Sequence, residues 1–576
     1  MDMRKELEAD EEKWVSDSSV DHKGRTPLRA STGVWRASLF IIAIEFSERL
    51  SYFGLATNLI IYLTKVLHQD VKTAAKNVNY WIGVTTIMPL FGGFVADAYL
   101  GRFSTVLMST LIYLLGLVLL TLSQLVPNLK PSRSLRVHEI VFFVAIYLIS
   151  VGTGGHKPSL ESFGADQFDD NHADERRKKM SYFNWWNCGI CAGVLLGVTV
   201  IVFVQDNVSW GTADIVLSVV MGISLVIFLI GKPFYRYRIP EGSPLTPMIQ
   251  VLVASFAKRH LPYPSDPSEL YEQKTNKRLL CHTDQFRFLD RAAIIEQKTN
   301  VDVVADKWRL ATVTQVEELK LLLSVIPIWV ASLPFGICVA QASTFFIKQG
   351  SIMNRKITAN LEIPPAALYS FAAISMIISV SFYDKMLVPL LRKITRNERG
   401  ITILQRMGIG MMFSVLSMVV SALIEKKRLN VHSMSVFWLV PQFTILGIAD
   451  GFTVVGLQEY FYDQLPDSMR SLGIAFYLGV MGASNFLSSF LISAVDNITE
   501  RGGGDGWFAK DLNKSRIDCF YWLLAGISGL NLGVYAYVAT RYSYKKVKGQ
   551  GRVGVGDTFE SEDGDHCNAN VQGSRV

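Results

Sequence analysis

Apolar residues in this chain come in blocks of roughly 20, the length a helix needs to cross a bilayer's hydrocarbon core. No other feature narrows the fold as much. Six blocks lie near 37–64, 80–100, 104–126, 139–158, 182–205 and 213–231. Six more lie near 317–341, 366–391, 403–424, 435–460, 470–495 and 517–540. Inside lipid the backbone must satisfy its own hydrogen bonds, and a helix does so within one segment. The expectation is an all-α membrane protein with twelve spanning helices in two bundles of six. Composition agrees, because 19% of the 576 residues are charged, against about 25% in soluble domains.

The pattern divides the chain into five stretches: an arm at 1–36, a bundle at 37–231, a linker at 232–316, a bundle at 317–540 and a tail at 541–576. Pro262, Pro264 and Pro267 crowd into the linker. An even number of spans puts both chain ends on the linker's side. Lys23, Arg25, Arg29, Arg36 and Lys545, Lys546, Lys548 favour the cytosol for that side under the positive-inside rule, although Lys426, Lys427 and Arg428 fall in an outer loop. The acidic start, Glu6 to Glu12, predicts no cleavable signal peptide. The tail from Gly549 is too poor in apolar residues to bury a core.

Several function classes drop out. The net charge of +7 is spread over ends and loops, so no nucleic-acid footprint exists. The nine histidines are dispersed, which argues against a metal centre, a cofactor and an enzyme. Cys188 and Cys191 form a CxxC inside an apolar helix and are expected to be small packing residues. A channel would show repeated pore segments or a selectivity loop, and neither is present.

Charge inside a bilayer is costly and marks function. Glu45, Glu48 and Arg49 fall at i, i+3 and i+4 in the first span and share a helical face. Two carboxylates beside one guanidinium leave one acid free to bind and release a proton; an interfacial salt bridge closing a helix end is the bland alternative. Lys157 follows Gly152-Thr-Gly-Gly-His156 in the fourth span, where glycines permit close helix approach; snorkelling to the interface is the bland alternative. Glu459, near the end of the tenth span, is a candidate interior acid, with a loop-proximal cap as the alternative; Asp450 lies nine residues earlier on a glycine-dotted face.

Between the second and third spans stands Gly93-Phe-Val-Ala-Asp97-Ala-Tyr-Leu-Gly101-Arg102, the GxxxDxxxGR pattern of the major facilitator superfamily. A partial echo runs from Asp384-Lys385 through Pro389 to Arg392, as a two-repeat transporter would have it. With EFSERLSYFG, GTGGHKPSLESFGADQF, FNWWNCG, IPPAALYSF and GLQEYFYDQLPDSMRSLG, the chain resembles the proton-coupled oligopeptide transporters, and specifically their plant branch of nitrate and peptide transporters. The resemblance covers roughly residues 30–545 and implies the major facilitator fold.

It further implies that Glu45, Glu48 and Arg49 couple transport to protons. Lys157 and Glu459 become substrate-binding or gating residues, with Tyr52 and Gln341 counted beside them. Gly93, Asp97, Gly101 and Arg102 form the conformational motif. Thr105 matches a phosphorylatable threonine of a plant nitrate transporter, its plain alternative being an ordinary helix-start residue. Two departures bear on substrate. Phe53 and Ala56 stand where bacterial peptide transporters have a tyrosine and an arginine, and Val339 replaces the histidine of that nitrate transporter before Ala340-Gln341.

The expected activity is proton-coupled symport, by alternating access, of nitrate, di- or tripeptides or another small, anionic solute. A proton-independent exporter or uniporter and a non-transporting sensor are the alternatives. The expected partners are that solute, protons and the lipid bilayer. The expected setting is the plasma or vacuolar membrane, the expected state a monomer or weak dimer.

Overall fold

The structure is a computed structural model that describes residues 13–542 apart from 16, 18, 170–171, 241, 243–244, 264–268, 273–279, 281, 296–307, 359–360, 396–399, 432, 466–469, 501–505 and 510–511. The acidic start at Glu6 to Glu12, the tail from 543 onward and about a third of the linker lie outside the described residues.

Twelve long helices carry the fold. In the first half they are α1 (Val34–Ala56), α2 (Val71–Val95), α3 (Arg102–Leu125), α4 (Leu135–Ala165), α5 (Ala173–Leu196) and α6 (Trp210–Ile230). In the second they are α7 (Val313–Ala340), α8 (Tyr369–Phe382), α9 (Ile403–Asn430), α10 (Val440–Gln464), α11 (Arg470–Glu500) and α12 (Ile517–Arg541). Among the described residues, eleven helices are long and apolar enough to cross a membrane by composition alone. The exception is α1. At 23 residues it has the length, but Arg36, Glu45, Glu48 and Arg49 lower its apolarity. The protein is a multi-pass membrane protein.

Packing repeats with a period of six helices. α3 lies on α4 as α9 lies on α10, and α2 on α4 as α8 on α10; α1 meets α5 and α6 as α7 meets α11 and α12; α3 meets α6 as α9 meets α12. These are the two bundles. Even local distortion repeats: a π-helical turn at Ala96–Leu100 extends α2, and another at Tyr383–Leu387 extends α8. The second carries the Asp384-Lys385 echo of the first.

Between bundles the main contact is α2 on α11. Its polar contacts lie in one half of each helix: Asn79 Nδ2 donates to Ser488 Oγ at 3.0 Å, Ser489 Oγ donates to the Lys76 carbonyl at 3.2 Å, and Lys72 pairs with Asp496. A Cβ on Gly83 would stand 2.9 Å from the Phe486 ring, so this seam is tight. The short helices Leu59–Lys65 and Phe345–Ser351 join it through a 3.0 Å bond from Lys348 Nζ to Thr64 Oγ1. All these contacts lie on the side away from the linker.

On the linker side, the arm is tied to the first bundle. Arg236 is fully buried and reaches Glu175 at 2.7 Å; Arg29 pairs with Glu175 at 2.7 Å and Asp169 at 3.0 Å. Two guanidiniums against two buried carboxylates balance charge where solvent is scarce.

Candidate functional site

The first-bundle wall of the site is built on α1. Helical spacing aims Glu45, Glu48 and Arg49 the same way, and all three are buried. Arg49 Nε lies 2.9 Å from Glu45 Oε1, and its Nη2 lies 2.7 Å from Glu48 Oε2. Thr153 of α4 donates to Glu48 at 3.4 Å. Glu45 Oε2 is buried with no hydrogen-bond partner. One guanidinium thus serves two carboxylates, and the group keeps one excess negative charge.

Glycine lets the neighbouring helices come this close. A Cβ on Gly193 of α5 would stand 2.7 Å from the Phe46 carbonyl and 2.9 Å from Arg49 Cβ. A Cβ on Gly92 of α2 would stand 2.2 Å from the Gly154 carbonyl. The glycine run of α4 therefore clamps α2 beside the acid–base cluster and sets the height of Lys157.

Lys157 is half-buried, lies within electrostatic reach of Arg49, Glu48, Glu45 and Glu161, and forms no ion pair among the described residues. His156 is wholly buried, and neither ring nitrogen has a hydrogen-bond partner. Glu161 stands one turn beyond Lys157 and joins the same charged group. The sequence reading missed it, although an acid at i+4 from an intramembrane lysine was a legible signal. Tyr52 stacks on Trp81 at 5.7 Å between ring centroids, which fixes its ring beside Arg49.

The second-bundle wall carries Asp450 of α10, Tyr369 of α8 and Tyr477 of α11. Asp450 lies within electrostatic reach of both tyrosines, and its Oδ1 is buried with no hydrogen-bond partner. Tyr477 in turn reaches the charges of Arg49 and Glu161, and Phe53 touches Tyr369 at 6.5 Å between ring centroids. The walls therefore face each other across one space. Four carboxyls, Glu45, Glu48, Glu161 and Asp450, meet two cations, Arg49 and Lys157.

Glu459 does not join this group. Its carboxylate pairs with Arg406 of α9 at 3.3 Å and is about a third exposed. On α10 it lies nine residues, two and a half turns, beyond Asp450, towards the linker side. Arg406 also lies over the Tyr383 ring at 4.4 Å. Gln341 is fully buried at the seam, its Nε2 donating to the Ile337 carbonyl at 2.8 Å and Ser488 Oγ at 3.3 Å.

The conformational motif sits at the linker-side end of α2. Gly101 has φ +76°, a left-handed geometry that suits glycine. A Cβ on Gly93 would meet Pro158 of α4 at 3.5 Å. Arg102 bridges Asp97 at 3.3 Å and Asp166 at 2.5 Å, and Arg238 holds the other oxygen of Asp166 at 3.2 Å. Thr105 is buried and donates to the Gly101 carbonyl at 2.9 Å, so a kinase reaches its hydroxyl only after the α3 start loosens.

Two clusters need a metal reading. His282, Asp290 and Glu317 lie close enough to hold an ion. Lys320 Nζ already stands 2.7 Å from Asp290 Oδ1 and 2.8 Å from Glu317 Oε1, so an ammonium fills the position a cation would take. Cys188 and Cys191, expected to be packing residues, are instead exposed on α5. Both sit near the middle of the continuous helix Asp174–Asn207, whereas the second bundle meets this helix further along, at its π-helical turn, Gly197–Ile201.

Three comparisons bear on this arrangement. A family model described as PTR2, POT family, matches residues 103–508. The Arabidopsis thaliana Protein NRT1/ PTR FAMILY 5.6 is 61% identical over 554 residues, covering 94% of this chain and 96% of the relative; FAMILY 5.7 is 60% identical over 562 residues, covering 94% and 93%. Among solved structures, an auto-inhibited POT family peptide transporter superposes with TM-score 0.69 at 21% identity, covering 88% of this chain and 97% of that one. A POT family transporter in complex with 5-aminolevulinic acid superposes with TM-score 0.60 at 12% identity, covering 88% and 96%.

Proposed function

Because this chain belongs to the POT family of transporters, we propose that it is a proton-coupled symporter working by alternating access on a small nitrogenous solute. One observation carries the coupling: Arg49 stands between Glu45 and Glu48, so the pair holds one more carboxylate than its arginine can balance. A proton on either acid neutralises the group, and its release restores the charge. Which acid holds it is a property of the pair.

The solute reading rests on the two walls. Lys157 offers an ammonium, without an ion partner among the described residues, to a carboxylate or other anionic group. Asp450, with a buried oxygen lacking a partner and tyrosines on either side, suits an amine. Together they favour a zwitterion of peptide or amino-acid type over bare nitrate, for which Asp450 is repulsive and Val339 supplies no contact. Relatives fit this range, since a POT family transporter of the same fold was solved with 5-aminolevulinic acid.

The conformation fits one half of an alternating-access cycle. The bundles are joined on the side away from the linker by Lys72–Asp496, Asn79–Ser488 and Lys348–Thr64. With the linker and both chain ends in the cytosol, this is an inward-open state. Gln341 belongs to the outer seam, and Glu459 with Arg406 braces the inner end of the second bundle. Arg102, held by Asp97 and Asp166, is the hinge-side counterpart in the first. Both walls come from one chain, so the working unit is a monomer, set in the plasma or vacuolar membrane.

The test is electrophysiology on expressing oocytes with nitrate, dipeptides, amino acids and organic acids at acidic and neutral external pH. Inward current for a zwitterion, larger at acidic pH, is the expected result. Uptake that ignores pH points to a uniporter, and binding without flux to a sensor.

A further inference from the structure

A groove opens on the outer surface of the second bundle, between α8 and α9 with α10 as its floor. It encloses about 570 Å³, and its lining includes Ile378, Phe382, Leu391, Phe413, Ile448 and Phe452. Ile378 is 62% exposed and Phe382 47%, so the groove faces what surrounds the bundle. A soluble surface seldom shows an apolar cleft of this size. In a bilayer the medium touching it is acyl chain.

Its linker-side mouth is charged. Beyond the π-helical turn of α8, the helix Val388–Thr395 continues from Leu387 and Leu391, both groove residues, into Arg392 and Lys393. Among the described residues there, Lys385, Arg392 and Lys393 are exposed, and Asp384 is the one exposed acid. Basic residues gathered immediately beyond a spanning helix attract acidic lipid headgroups. An apolar slot running into a cationic mouth matches a phospholipid with net negative charge, tail in the slot and phosphate at the mouth.

We propose that this groove seats one anionic phospholipid, its acyl chain between α8 and α9 and its headgroup against Arg392 and Lys393. The seat touches the gating machinery. Tyr383 lines the groove and lies under Arg406, which holds Glu459 at 3.3 Å and the Gly451 carbonyl at 3.2 Å. A chain filling the groove packs against Tyr383 and steadies the linker-side ends of α8, α9 and α10 relative to one another.

The experiment uses the purified full chain in mild detergent. Phosphatidylglycerol and phosphatidylcholine with identical acyl chains are offered in equal amounts, and bound lipid is read by native mass spectrometry. The expected result is a several-fold preference for phosphatidylglycerol. Arg392→Gln with Lys393→Gln should bring the two lipids to parity, while Arg392→Lys with Lys393→Arg should keep the preference. Ile448→Trp, which fills the groove from its floor, should lower binding of both lipids. Parity in the unaltered protein, or a preference that survives the double glutamine variant, overturns the headgroup assignment. Unchanged lipid binding in Ile448→Trp overturns the groove as the seat.

Discussion

Replacing Glu48 with Gln tests the coupling scheme directly. Arg49 lies 2.9 Å from Glu45 and 2.7 Å from Glu48. At an effective dielectric of about 20, unit charges roughly 3 Å apart attract by about 5 kcal/mol, before the desolvation that opposes it. Losing one of two such contacts leaves Arg49 with Glu45 in a balanced pair, so Glu48→Gln should fold. It no longer has an excess carboxylate to titrate. One proton moved with each solute is worth about 1.4 kcal/mol per pH unit, so at zero membrane potential the unaltered protein should accumulate solute about tenfold per unit of pH difference. In Glu48→Gln, or in Glu45→Gln, that ratio should fall to about one. Counterflow of labelled solute at equal pH should persist, because exchange needs only the conformational cycle. The assay is proteoliposome accumulation under an imposed pH difference, beside counterflow without one. If both glutamine variants accumulate like the unaltered protein, Glu45 and Glu48 do not carry the coupling proton. Arg49→Ala should be far worse. It strands two buried carboxylates, at a cost of about 3–5 kcal/mol, and should appear as lost expression.

Lys157→Ala should lower uptake of a carboxylate-bearing solute at least about tenfold, the value of one charge-assisted hydrogen bond, in a protein that still folds and reaches its membrane; competition binding and a melting curve separate the two effects. Asp496→Asn weakens the outer seam by about 1 kcal/mol, so a cysteine placed at the buried Asn79 should be labelled about fivefold faster from the far side. Equal labelling would remove Lys72–Asp496 from the gate. Gly154→Val should destabilise by about 3 kcal/mol through overpacking, since its Cβ would stand 2.6 Å from Met88 Cβ. The purified variant melting like the original would contradict that.

Much of this protein follows from sequence alone. Bilayer thickness fixes the length of an apolar block, and helical periodicity fixes which residues share a face. The twelve spans and the common direction of Glu45, Glu48 and Arg49 were therefore legible. So was the α2 end motif, because its residues are local to one turn. Periodicity does not say what a face meets. Glu459 and Asp450 lie on one helix, and only packing sends Glu459 to Arg406 and leaves Asp450 opposite the α1 cluster. The same holds for Glu161, which gains its setting from α1 and α4 together, and for Lys320, whose ammonium fills what the sequence leaves as three separate possible ligands. The bundle-to-bundle seam is decided last of all. Lys72 and Asp496 are more than four hundred positions apart, and their pairing belongs to one conformation of a chain built to leave it.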